Sequence, residues 1–142
     1  MAGPAPSFVF PQPRPWKSAL LRGFNKRCPR CGEGHLLKGY LGVADSCTAC
    51  GLDLTPQRAD DAPPYFTILI VGHIVVPGLL VTEKLWHPDI WLQLGFWLLA
   101  TAVLTLWLLP RVKGAVIGAQ WAFRMHGFDE AGGPDPAVPG QP

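Results

Sequence analysis

The chain has 142 residues, of which 49% are hydrophobic and 15% are charged, and its formal net charge is +2. No Lys, Arg, Asp or Glu falls within residues 65–81 or 90–109, so every formal charge lies outside these two stretches. Too few residues remain for a large soluble enzyme with its own core, and the small net charge does not select a partner.

The start of the chain is rich in proline. Five prolines lie within residues 1–16, where they interrupt helices and strand pairing. The apolar run at residues 8–10 is shorter than the roughly 7–15 apolar residues of a signal peptide, so none is expected here. We therefore predict a disordered Pro-rich arm over residues 1–26.

Four cysteines occur as two C-x-x-C pairs, Cys28 with Cys31 and Cys47 with Cys50, separated by fifteen residues. This spacing is typical of a tetrahedral zinc site, and the glycine after each pair lets the backbone turn with a positive φ. Four thiolates fill the coordination shell, so zinc is expected to hold the fold and not to act on a substrate. We predict a zinc ribbon over residues 27–54, with two disulfides or four free thiols as the alternative.

The two apolar stretches follow a linker predicted at residues 55–64. Residues 90–109 form a run of 20 residues, which rises about 30 Å as a helix and matches the hydrocarbon thickness of a bilayer. Residues 65–81 form a shorter run of 17, which reaches full length when the uncharged residues 62–64 and 82 are included. The sequence therefore predicts an α-helical two-span transmembrane hairpin over residues 65–109.

The basic residues predict the orientation of this hairpin. Eight of the twelve Lys and Arg residues precede the first span, three follow the second, and only Lys84 lies in the connecting loop. The positive-inside rule then predicts both termini in the cytoplasm, for a multi-pass protein of the bacterial inner membrane. A reducing cytoplasm also favours metal-bound thiolates over disulfides.

His73 lies at the middle of the first span. Pro77, four residues later, leaves the carbonyl group of His73 without its helical hydrogen-bond donor. An ionisable residue at this depth is a candidate intramembrane polar site, as a haem or copper ligand or a proton carrier. The simpler interpretation is a neutral imidazole that hydrogen-bonds across the hairpin, for instance to Thr101 or Thr105.

Residues 111–128 are predicted to form a C-terminal interfacial helix, with a disordered tail at residues 129–142. Its polar side chains, from Lys113, Gln120 and Arg124, would share one narrow stripe. Gly114 and Gly118 form a G-x-x-x-G motif, which would let another helix approach closely. The alternative is a helix that packs on its own hairpin or lies on lipid headgroups.

Four sequence segments resemble a bacterial family of small membrane proteins, the domain of unknown function 983 family. They are C-P-R-C-G-E-G at 28–34, V-A-D-S-C-T-A-C-G at 43–51, Y-F-T-I-L-I-V-G-H-I-V-V-P at 65–77 and V-K-G-A-V-I-G-A-Q at 112–120. The resemblance implies a membrane location and a zinc-ribbon-like head. It also implies a looser association with respiratory oxidase gene clusters, which some members of the family show.

These features together favour a non-enzymatic scaffold or assembly factor for a larger membrane complex, with a respiratory oxidase as the candidate. The role is expected to be non-enzymatic because the sequence contains no recognisable nucleophile–base pair, carboxylate pair or phosphate loop. Membrane lipid and a membrane protein are its expected partners. The first alternative is a membrane protein that handles metal or haem. The second is a membrane-tethered nucleic-acid-binding ribbon, although anionic lipid explains its basic patch more simply. That patch comprises Lys26, Arg27, Arg30 and Lys38.

Overall fold

The computed structural model describes residues 13–125 and 127–128. Their elements are helix α1 (Trp16–Phe24), strands β1 (Leu37–Lys38) and β2 (Gly42–Val43), and helices α2 (Ala62–Trp86) and α3 (Ile90–Ala122). A small ribbon followed by two long apolar helices confirms the predicted fold class. The predicted tail at residues 129–142 and the first part of the predicted arm lie outside the described residues.

The ribbon consists of two cysteine loops and a short antiparallel hairpin between them. Strands β1 and β2 pair in a register that places Leu37 opposite Val43. Single bridges, from Arg27 to His35 and from Ser46 to Asp53, close the two loops. The ribbon does not have a separate core: its buried leucines pack in one cluster with residues of α1 and the C-terminal part of α3. This cluster includes Leu36, Leu52, Leu54, Ala19, Ile117 and Trp121.

Helix α1 corrects the prediction that residues 1–26 form a disordered arm. Its sequence, WKSALLRGF, contains good helix formers, and the helix begins directly after Pro15. The side-chain amide of Asn25 donates to the carbonyl oxygen of Leu21 (2.9 Å) where the helix ends. Ala19 and Gly23 are buried against α3. A helix of nine residues is not stable alone, so α1 depends on this contact with α3. The proline content of the segment gives no information about such a contact, which is why the sequence predicted disorder.

Helices α2 and α3 are both long and apolar enough to cross a membrane. In the most apolar 18-residue window of each, only 11% (α2) and 6% (α3) is buried, unlike the core helix of a soluble protein. Helix α2 begins three residues earlier than the predicted span, with Pro63 and Pro64 in its first turn, where proline is tolerated. It ends before His87, which takes a left-handed backbone conformation (φ 44°).

Helix α3 is one continuous helix of 33 residues, which corrects the prediction of a span ending at residue 109 and a separate helix at 111–128. Pro110 has no backbone N–H, so the carbonyl group of Leu106 lacks its usual donor. The hydroxyl group of Tyr40, from the tip of the ribbon hairpin, donates to that carbonyl oxygen. A side chain of the ribbon therefore satisfies the backbone where the proline interrupts the helix. The helix ends at Ala122, six residues before the predicted end.

Candidate metal centre

The two cysteine loops bring four sulfur atoms around one point. All four Sγ atoms lie within 4.8 Å of one another. The Sγ atoms of Cys28 and Cys50 are 3.7 Å apart, and so are those of Cys31 and Cys47. In a tetrahedral site with metal–sulfur bonds of about 2.3 Å, neighbouring sulfurs lie about 3.8 Å apart. The predicted ligands therefore come together at a spacing that fits one four-coordinate metal ion.

The two loops have the same local backbone structure. Gly32 donates its N–H to the carbonyl oxygen of Cys28, and Gly51 donates to that of Cys47, both at 2.9 Å. The two glycines have φ angles of +74° and +73°, as expected from their positions after each pair. Each loop thus turns back on its first cysteine and brings both sulfurs of its pair to the same side.

Backbone N–H groups and burial act on the sulfurs in opposite directions. Burial raises the pKa of the Cys28 thiol far above its usual range, although the N–H groups of Cys31 and Arg30 point at the sulfur. Burial also raises the pKa of Cys50. Burial opposes ionisation of Cys47 as well, but N–H groups of Cys50 and Ala49 outweigh it and lower its pKa to about 7. A metal ion would therefore displace protons as it binds.

The sulfur cluster is enclosed by its own loops. Cys28 is fully buried, Cys47 is 3% exposed, and Cys31 and Cys50 are half-buried. Gly34 is also buried, and a Cβ atom at this position would overlap the sulfur of Cys47. Sequence reasoning did not identify Gly34 as a site residue, although the C-P-R-C-G-E-G segment contains it. Four sulfurs packed this closely can hold an ion but leave no coordination position for a substrate.

Two arginines connect the helices to the ribbon and its surroundings, and neither was identified from the sequence. Arg22 of α1 donates to the carbonyl oxygens of Pro29 (3.3 Å) and Arg30 (2.9 Å), inside the first cysteine loop. Arg14 is buried, donates to the carbonyl oxygen of Trp121 (2.7 Å) and lies 4.6 Å from the centre of that indole ring. Charge-assisted hydrogen bonds to carbonyl groups thus hold the first cysteine loop against α1, through Arg22, and the segment before α1 against the end of α3, through Arg14.

Gln120 has a different role from the one predicted. It is buried, and its amide binds the backbone of Arg58 twice: Oε1 accepts from the N–H (3.0 Å) and Nε2 donates to the carbonyl oxygen (2.7 Å). Arg124 lies beyond the end of α3 with a φ of 55°. The predicted polar stripe of Lys113, Gln120 and Arg124 is therefore wrong. Its central member instead holds the segment that leads into α2.

The G-x-x-x-G motif of α3 packs against α1. A Cβ atom at Gly114 would overlap the carbonyl oxygen of Gly23, and one at Gly118 would overlap that of Ala19. Helix α1 presents its own small pair, Ala19 and Gly23, at the same four-residue spacing. The two backbones approach as closely as they do because neither side has a larger side chain. The partner of this motif is thus a helix of the same chain.

His73 does not take part in the metal centre. Its side chain is exposed, and Nδ1 lies 2.7 Å from the carbonyl oxygen of Leu69, in its own helix. The hydroxyl group of Thr101 likewise donates within its own helix, to Trp97 (2.7 Å). The expected hydrogen bond across the hairpin is therefore not formed, because each side chain reaches the carbonyl four residues earlier. Among the described residues, no candidate metal-ligand group includes His73.

Comparison with known proteins places the chain in a family. A family model described as a protein of unknown function (DUF983) matches residues 37–121. The chain belongs to the DUF983 family. The matched region includes the ribbon hairpin, the second cysteine pair, α2 and nearly all of α3, whereas Cys28 and Cys31 precede it. Neither a curated protein nor a solved structure matches the chain. Membership in DUF983 therefore identifies relatives but assigns no activity.

Proposed function

We propose that this protein is a non-enzymatic zinc-ribbon scaffold of the bacterial inner membrane, which docks onto a larger membrane complex. One observation carries the proposal: the ribbon that contains the closed four-sulfur site packs against α1 and the C-terminal part of α3, and the apolar side chains of α2 and the first part of α3 are exposed. The site supplies a rigid head, and the helices supply an anchor. Nothing in this arrangement requires a substrate.

Zinc is the metal that this donor set suits best. Four thiolates in tetrahedral arrangement are typical of structural zinc, which has no redox chemistry of its own. When bound, zinc would supply folding free energy to a ribbon that has little core of its own. Burial of Cys28 and Cys47 argues against release of the ion to another protein, which is the alternative role of metal handling.

The helix surfaces support insertion in a bilayer. Large apolar side chains along α2 and the first part of α3 are exposed, and burying them in lipid would remove this surface from water. Basic residues are concentrated at the head end of the helices, which favours a cytoplasmic head and cytoplasmic termini. Part of the basic patch is already engaged within the ribbon, which weakens the nucleic-acid alternative. Arg27 donates to Gly32, and Lys38 pairs with Asp45 (3.6 Å).

The shared core supports a docking role. The ribbon, α1 and the end of α3 bury residues in one cluster, so the head does not hang from a flexible tether. A surface held in this way can meet a membrane-embedded partner in a single orientation, which lowers the entropic cost of binding. Among membrane complexes, a respiratory oxidase is the candidate that the family resemblance offers.

The test is purification of the tagged full-length protein from its native membranes in mild detergent, followed by mass spectrometry of the co-purified proteins. The Cys28→Ser variant removes one sulfur, and Thr48→Ser is a matched control within the second cysteine loop. The wild type and the control should retain zinc and the same oxidase subunits or assembly factors, whereas Cys28→Ser should lose both and stay in the membrane. The proposal fails if the wild type brings no membrane-protein partner, or if Cys28→Ser brings the same one.

A further inference from the structure

Arg111 is the first charged residue after the charge-free run of residues 90–109. Its guanidinium carbon lies 4.4 Å from the ring centre of Trp107, one turn earlier on α3. It also lies 5.7 Å from the ring centre of Phe24, the last residue of α1. Aromatic rings from two different helices therefore hold this side chain in place.

The N–H groups of Arg111 have no acceptor among residues 13–125 and 127–128. The interactions of its guanidinium group in this part of the chain are those with the two aromatic rings. By contrast, Arg14 and Arg22 each donate to backbone carbonyl oxygens. A guanidinium carries five N–H donors, and stacking on rings does not satisfy them. Arg111 is thus positioned by its neighbours, and its N–H donors are available to another group.

Arg111 lies where the exposed apolar surface of the helices ends. Trp107 is 53% exposed, whereas Val112 and the contact glycines of α3 are buried. At the same end of the antiparallel helix α2, Tyr65 is 68% exposed. Aromatic side chains at both helices mark the level of a membrane–water interface, where lipid phosphates lie.

We propose that Arg111, positioned by Trp107 and Phe24, binds the phosphate group of an anionic phospholipid. The inference rests on the membrane insertion proposed above. A planar guanidinium can donate two parallel hydrogen bonds to phosphate oxygens while its faces stay on aromatic rings. The lipid should be anionic because the neighbouring head segment, residues 13–38, carries seven basic residues and one acidic residue, and so attracts negative charge.

Native mass spectrometry of the full-length, zinc-loaded protein in detergent tests this site, with phosphatidylglycerol as the titrated lipid. Arg111→Gln should weaken the tightest lipid-binding step about tenfold or more, since two charge-assisted hydrogen bonds are lost. Arg111→Lys should weaken it several-fold, because a point charge replaces the planar donor pair. Lys113→Gln, which removes the same charge two residues along, is the matched control and should weaken binding by no more than about fivefold, the loss expected from surface charge alone.

Three outcomes would overturn the proposal. In the first, Arg111→Gln binds phosphatidylglycerol as tightly as Lys113→Gln does. In the second, phosphatidylcholine binds as tightly as phosphatidylglycerol. In the third, inorganic phosphate at the same concentration displaces the lipid, which would make this a site for free phosphate. Retained zinc shows that each variant is folded. If Arg111→Gln does not retain zinc, the affinity of Arg111→Lys for phosphatidylglycerol decides whether Arg111 binds the lipid.

Carbonate extraction of membranes separates this proposal from membrane insertion itself. If the wild type is extracted at high pH, insertion is wrong. If the wild type and Arg111→Gln both stay in the membrane but bind phosphatidylglycerol equally, only the lipid site is wrong.

Discussion

The hydrogen bond from Tyr40 to Leu106 predicts an energetic coupling between the ribbon and the proline of α3. Tyr40→Phe removes the hydroxyl group and leaves the Leu106 carbonyl without a donor, because Pro110 has none. In the lipid proposed around residues 90–109, no water can replace this donor, and leaving a carbonyl group unsatisfied there costs about 1–3 kcal/mol. In the Pro110→Ala background, the new N–H of residue 110 can donate to Leu106, so the same change should cost about 0.5 kcal/mol or less.

A double-mutant cycle should therefore show a coupling free energy of about 0.5–3 kcal/mol between positions 40 and 110. The assay is denaturant unfolding of the zinc-loaded protein in detergent micelles, followed by tryptophan fluorescence and by metal release. The matched control is Tyr65→Phe, whose hydroxyl group has no hydrogen-bond partner in the part of the chain that the structure describes, and which should show no coupling to Pro110→Ala. If Tyr40→Phe costs the same in both backgrounds, the hydroxyl group does not substitute for the missing helical donor, and the explanation for the continuous helix is wrong.

Three further predictions concern the metal centre. Cys28→Ser should abolish stoichiometric zinc binding, measured by elemental analysis, and leave the protein in the membrane fraction; retained zinc would contradict the four-sulfur assignment. Gly34→Ala should greatly weaken zinc binding, because its Cβ would overlap the sulfur of Cys47, whereas Gly39→Ala has open space and should keep zinc despite its positive φ. Zinc uptake at neutral pH should release protons from Cys28 and Cys50, whose pKa values are raised by burial, so zinc affinity should fall as pH falls. Proton release measured with an indicator dye in weak buffer checks this, and pH-independent binding without release would count against it.

Local patterns in the sequence were sufficient for the cysteine loops and the apolar helices. Two cysteines three residues apart, followed by glycine, form a loop whose geometry depends on a few neighbouring residues, and Gly32 and Gly51 take the expected positive φ. A long run without charges is likewise a property of one segment. These features could be predicted because each depends on contacts close in sequence.

Contacts between distant residues account for what could not be predicted. Helix α1 is too short to be stable alone, and its small face is covered by glycines of α3 about ninety residues later in the sequence. Pro110 is normally a reason to end a helix, and the donor that compensates for it comes from Tyr40, 66 residues earlier. The bidentate contact of Gln120 with Arg58 spans 62 residues. In each of these pairs, the sequence around one residue does not identify the distant residue that it contacts.

The length of α3 has a geometric consequence for any partner. A helix of 33 residues is about 50 Å long, whereas the hydrocarbon layer of a bilayer is about 30 Å thick. With residues 90–109 in the lipid as proposed, the remaining turns extend about 20 Å along the helix axis, and the ribbon is fixed to them. The length of α3 would then fix the distance between the metal centre and the lipid. Inserting residues after Pro110 would move the head away from the lipid by about 1.5 Å per residue and rotate it by about 100° per residue. A partner that binds the head at one fixed distance from the lipid should therefore lose binding after any such insertion.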